Sequence, residues 1–197
     1  MFVQIIEGQT RDPEGIKRQV ERWQAEVSPG AAGFLGSTSG VTADGRAIAV
    51  VRFDSEAAAR ANSERPEQSA WWADMSKYYD GEVTFTESSD VQEFLGGGSN
   101  DAGFVQVMKS LGVDRKRMAS LDAEFDKLAG LRPDLIGSVR VWTGPDSCVE
   151  VNYFTSEAEA RAGEQKDVPA EVQAMMAEFG DLMKNTEFLD LSDPLLH

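Results

Sequence analysis

The 197 residues are 41% hydrophobic and 27% charged, with 34 acidic against 19 basic side chains and a net charge of −15, which is the composition of a globular chain and needs no disorder. The acidity opposes the counterion release that drives nucleic-acid binding, and no apolar run approaches the roughly 18 to 20 residues that span a bilayer, so neither nucleic acid nor membrane is an expected partner. His197 is the sole histidine and Cys148 the sole cysteine, which leaves histidine-based metal sites, Ser/His/Asp or Cys/His catalysis and an internal disulfide without their residues. The start MFVQIIEGQT shows neither a charged n-region with an apolar h-region nor an Arg-rich transit pattern, and a reducing cytoplasm is the expected location.

In chain order, FVQII at Phe2 to Ile6 is a short β-branched run. Asp12 and Pro13 then supply an N-cap and a first-turn proline ahead of Ile16, Val20, Trp23 and Val27 at helical spacing, and Pro29-Gly30 ends that helix. Two extended runs, Gly33 to Val41 and Ala47 to Phe53, are joined through Ala43-Asp44-Gly45, a hairpin signal. Ser55 caps a short alanine-rich helix, a second helical stretch after Pro66 carries Trp71, Met75 and Tyr78 on one face, and Glu82 to Glu87 reads as a last strand. The same order follows from Phe104: a strand to Lys109, a helix capped by Asp114 with Met118, Leu121, Phe125 and Leu128, a hairpin across Gly144-Pro145-Asp146, helices from Ser156 and Pro169, and a strand from Thr186 to Leu191.

The second series repeats the first in letters as well as in pattern. FVQII pairs with FVQVM at an offset of 102, GFLGS with DLIGS at 101, SEAAARA with SEAEARA at 101 with six of seven residues kept, and FTESSDV with FLDLSDP at 103. A glycine-rich joint, Gly96 to Gly103, separates the copies. The boundary is therefore set near Gly98, giving repeats of residues 1–98 and 99–197. Both are acidic, with 9 basic and 16 acidic side chains in the first and 10 and 18 in the second.

A β-α-β-β-α-β order is the ferredoxin-like split unit, a four-stranded antiparallel sheet with helices on one face. The expected class is α+β. The bare second face of such a sheet needs cover, so the two units are expected to pack sheet against sheet as an intramolecular pseudo-dimer, a dimeric α+β barrel built in one chain. A further homodimer stays open.

These residues resemble the antibiotic biosynthesis monooxygenase domain of the dimeric α+β barrel superfamily. The resemblance rests on the opening strand FVQII or FVQVM, the helix and hairpin after it, the phenylalanine-then-SEA turn at Phe53 and Phe154, and the aromatic helix near Trp71 and Trp72. These features mark a fold and carry no catalytic signature. The resemblance implies an oxidoreductase that oxidises an aromatic or polyketide-like small molecule with molecular oxygen and no cofactor, in a dry pocket lined by Asn, Trp, Tyr and Arg. Haem-degrading relatives hold iron through a histidine on the helix near the end of the unit; Trp71 to Tyr79 and Val172 to Met183 contain none, so haem is not expected. A non-catalytic binding or interaction module and an isomerase of the muconolactone-isomerase kind are the alternatives.

Strand alternation nominates the site residues. Pairing the second hairpin around Gly144-Pro145-Asp146 sets Arg140 opposite Glu150 and Ser138 opposite Asn152 on one face, with Trp142 beside Cys148, and puts Val139, Val141, Val149 and Val151 on the other. The valine face is expected beneath the helices and the polar face toward an inter-sheet cavity or solvent. The catalytic candidates are Arg140, Asn152 and Glu150. The substrate-binding candidates are Gln106, Ser138, Trp142, Trp71, Trp72 and Tyr78, with no metal ligands. The Arg140–Glu150 pair reads equally as a solvated surface pair, Asn152 and Gln106 as partners of each other, the aromatics as core, and Cys148 as a small buried filler. The first repeat has Ser37, Ser39, Ala49 and Val51 where the second has its polar row, with Gln4 matching Gln106.

Overall fold

The computed structural model describes residues 1–125 and 129–197; Leu128, expected on a helix face, lies outside them. The chain divides into two compact units, Met1–Val91 with Asp193–His197, and Gln92–Ser192. Residues 92–98, counted with the first repeat by sequence, group with the second unit, and 193–197 group with the first.

In the first unit, β1 (Phe2–Gln9) leads to α1 (Pro13–Arg22). The Asp12 side chain accepts from the Gly15 amide at 2.8 Å with Pro13 in the first turn, which satisfies a donor the helix leaves open. After a π-helical turn at Trp23–Val27 come β2 (Phe34–Val41), β3 (Arg46–Phe53), α2 (Glu56–Ser63), α3 (Pro66–Met75) and β4 (Asp80–Ser88). The second unit has β5 (Val91–Phe94), β6 (Phe104–Leu111), α4 (Arg115–Asp122), β7 (Leu135–Trp142), β8 (Ser147–Phe154), α5 (Glu157–Glu164), α6 (Ala170–Leu182) and β9 (Thr186–Leu191). A last short strand, β10 (Leu195–Leu196), returns to the first unit. The sheets run β10-β2-β3-β1-β4 and β5-β7-β8-β6-β9, antiparallel throughout the pairings β1 to β3, β1 to β4, β2 to β3, β6 to β8, β6 to β9 and β7 to β8. Each is the expected ferredoxin-like sheet with one unforeseen edge strand.

The repeated letters have physical causes. Ser55 and Ser156 each cap the following helix, accepting from the amides of Ala58 and Glu159 at 3.2 Å, and the alanines in register, Ala59 and Ala160, are buried against phenylalanines. The glycine shared by GFLGS and DLIGS sits at a bulge that interrupts β2 at Gly36 and β7 at Gly137. A Cβ there would meet the His197 carbonyl at 2.4 Å in one copy and the Gly97 carbonyl at 2.2 Å in the other. The small residue lets the added edge segment approach.

One expectation about the sheet faces is corrected. In the second unit the face beneath α4 and α6 carries Gln106, Met108, Arg140, Trp142, Cys148, Glu150 and Asn152, while Val139, Val141, Val149 and Val151 lie buried on the opposite face. Alternation groups residues by face correctly but does not say which group the helices cover. Here the apolar floor the helices need comes from Met108, Trp142 and Cys148, packed against Met118 and Leu182, and Asp122 of α4 accepts from Arg140 of the polar row from above.

Candidate functional site

Between the second unit's sheet and its helices lies a cavity of about 390 Å³, within the size range of sites for drug-sized molecules. Its floor is Gln106 and Met108 on β6, Arg140 on β7, Glu150 and Asn152 on β8, and Phe188 on β9. Met118, Leu121 and Asp122 of α4 form one wall, and Met175, Met176 and Phe179 of α6, with Met183 just past its end, form the other. The two helices are tied outside the cavity by Arg117, whose Nε donates to Glu178 at 2.7 Å and whose Nη2 donates to Asp181 at 2.9 Å. The lining is thus a soft sulfur and aromatic shell around a short polar row.

The polar row is a single ionic device. Arg140, 2% exposed, donates Nε to Glu150 Oε2 at 2.7 Å and Nη1 to both oxygens of Asp122 at 2.8 and 2.7 Å, and its guanidinium lies 5.0 Å from the centre of the Phe94 ring. Burial works against the charged arginine, but the two carboxylates outweigh it and raise its pKa above the ordinary value. Arg140 engages only Oε2 of Glu150, and among the described residues no hydrogen bond to Oε1 is formed. Gln106 donates to Asp190 at 2.9 Å, and Asn152 makes only a weak contact with the Met108 sulfur at 3.3 Å. The expected Asn152–Gln106 pair is not made, although the two lie opposite each other in register. Burial, with the nearby Glu150 charge, pushes the Cys148 thiol up to about 11, which makes it an inert filler. Among the described residues no three His, Cys, Asp or Glu side chains gather as a metal site, and no helix is long and apolar enough to cross a membrane.

No family model matches the chain, and no curated protein matches its sequence significantly. Solved structures do match it from end to end. A "putative monooxygenase" from Lactobacillus acidophilus NCFM has a TM-score of 0.74 at 11% identity, covering 100% of this chain and 98% of the other. A second, from Fusobacterium nucleatum, has 0.77 at 10% identity, covering 100% and 93%. The chain has the fold of these two proteins over its whole length, an α+β fold with two antiparallel sheets. An anthrone oxidase-like protein shares this fold over 99% of this chain and 92% of its own, with a TM-score of 0.63 at 11% identity.

Within this doubled fold the nominated residues separate. Arg140, Glu150, Asn152 and Gln106 converge on the second unit's cavity. The Arg140–Glu150 pair is not a solvated surface pair, since both side chains are buried. The cavity that holds them lies inside one unit, under its helices, and not on the sheet face turned away from them, where the inter-sheet cavity was expected. Ser138 is buried on the same strand face, next to Asn152 in register, but does not line the cavity. Trp142 is also buried off the lining; its Nε1 donates to Gln92 at 2.9 Å and the Arg115 guanidinium stacks 4.1 Å from its ring centre.

The remaining aromatics belong to the first unit. Trp71 and Trp72 line a counterpart cavity of only about 70 Å³, together with Gln4, Ser37, Ser39, Ala49 and Val51. Trp71 is buried and donates Nε1 to the Gln19 carbonyl at 2.8 Å, while Trp72 packs edge-to-face with Phe85 and at a tilt against Tyr79. Tyr78 packs over Gly15 instead of lining that cavity, and its neighbour Tyr79 takes the place. The groups that sequence reasoning missed are Asp122 and the methionine and phenylalanine walls. A signal existed in the cluster Met175, Met176, Phe179 and Met183, an unusually pliable face for one helix and its end.

Proposed function

We propose that the second unit's cavity is the site of a cofactor-independent monooxygenase acting on an aromatic or polyketide-like small molecule in a reducing cytoplasm. The observation that carries this reading is the contrast between the two units: one fold built twice, with a cavity of about 390 Å³ around a buried polar row in one copy and about 70 Å³ walled by tryptophans in the other. A flat hydroxylated ring system suits the methionine and phenylalanine walls, with its hydroxyl donating to Glu150 Oε1. Transfer of that proton to the carboxylate leaves an electron-rich anion in a dry site. For an anthrone-type substrate, the activated CH2 loses two hydrogens to one atom of O2, leaving as water, and gains the other atom as a carbonyl. Asn152, with only a sulfur contact to give up, is placed to turn its amide toward the oxygen that gains charge.

A second reading, binding without turnover, is favoured by one feature of the same site: the charge of Arg140 is engaged by two carboxylates and is not offered to an oxyanion. One experiment separates them. With 1,8-dihydroxyanthrone, oxygen uptake matched mole for mole by quinone absorbance supports the monooxygenase. Saturable binding without oxygen uptake above the uncatalysed rate supports the binder, and absence of binding removes both.

A further inference from the structure

Resting on the proposed site, we infer that the cavity is a charge filter: it takes uncharged ligands that bring hydroxyl donors and rejects ligands carrying a carboxylate or other fixed negative charge. The geometry supports this in three steps. Arg140 is the cation at the cavity floor, and two carboxylates meet it at 2.7 to 2.8 Å, so the buried triad carries one excess negative charge. The other lining arginine, Arg132, is held by Asp134 at 2.7 Å and packs over the Phe154 ring, and Glu164 adds a further carboxylate to the lining. The electrostatics of the described lining are therefore negative where the ligand's polar end must sit, in surroundings too dry to screen the charge. The net charge of −15 extends the same sign to the approach.

Proton transfer explains why such a site still suits an acidic substrate. A neutral phenol or enol that gives its proton to Glu150 moves the negative charge from carboxylate to ligand and adds none. A ligand that arrives as an anion brings a second charge beside the first, with Arg140 already engaged on both sides. The filter is set at Glu150 and Asp122, which the first unit lacks: Ala49 stands where the second has Glu150.

The test compares 1,8-dihydroxyanthrone with its 3-carboxylated analogue, titrated without oxygen into the full chain and into Glu150→Gln and Asp122→Asn, with circular dichroism as the fold control. The intact protein is expected to bind the neutral compound at least about tenfold more tightly than the carboxylate, the effect of one unscreened charge at short range. Either variant, by leaving Arg140 with a single counter-charge, should narrow that gap to about threefold or less; if one variant fails to fold, the other carries the comparison. Equal affinity of the intact protein for both compounds overturns the filter while leaving the binding site standing. An unchanged gap in a folded variant overturns it too, by placing the discrimination elsewhere. Failure of both compounds to bind overturns the proposed site, and the filter with it.

Discussion

At the scale of single residues, the polar row is a liability held in balance. Removing one member of a buried ionic group leaves an uncompensated charge, so Arg140→Met is expected to cost about 3 to 5 kcal/mol in urea denaturation at neutral pH. An unfolding midpoint equal to the parent's would mean that the two stranded carboxylates relax into solvent. In the first unit, burial pushes the Tyr79 hydroxyl up from 10.0 to about 12. Its folded pKa is raised, so its contribution to stability is fully present below about pH 10 and is lost as pH rises from there toward 12. Absorbance at the phenolate band, followed in the parent and in Tyr79→Phe, should show one tyrosine titrating late in the native protein and the alkaline loss of stability reduced in the variant.

At the scale of elements, the cavity depends on what α6 leaves empty. Gly180 lies inside that helix and on the cavity lining, and a Cβ there meets nothing within 4 Å. Gly180→Ala is expected to stabilise the unit by roughly 0.5 to 1 kcal/mol through helix propensity alone. Gly180→Phe should fill the cavity and weaken anthrone binding about tenfold or more without lowering the melting temperature; retained affinity would move the ligand away from α6. The elements themselves were legible in the sequence, because capping residues such as Asp12, Ser55 and Ser156 and the hairpin glycines act through local geometry that the letters carry. So was the polar row, since the pairing of Arg140 with Glu150 follows from the length of one hairpin. Which face of the sheet the helices cover was not legible, because it depends on side chains far apart in the chain, Met118 and Leu182 closing over Trp142 and Cys148. Asp122 was passed over for the same reason: one acidic residue near the end of an exposed, weakly amphipathic helix carries no sign that a buried arginine lies beneath it.

At the scale of the whole molecule, each sheet is completed by a segment from beyond its own ferredoxin-like repeat. β10 pairs with β2, Leu195 opposite Ser39 and Leu196 opposite Thr38, and Ser37 and His197 exchange backbone hydrogen bonds of 2.8 and 3.0 Å. Deleting residues 193–197 removes those bonds and opens the edge of β2. Thermal denaturation should then show a less stable first unit, with the edge-exposed protein prone to strand-to-strand association on light scattering. Unchanged stability and a monodisperse product would show that β10 is ornamental. The same dependence imposes a timetable on biosynthesis. β1 to β4 are synthesised before the strand that finishes their sheet, since β10 is made only after the entire second unit. While the second unit is being made, the nascent first unit waits with a vacant edge beside β2, exposed to pairing with another nascent copy and in need of a chaperone.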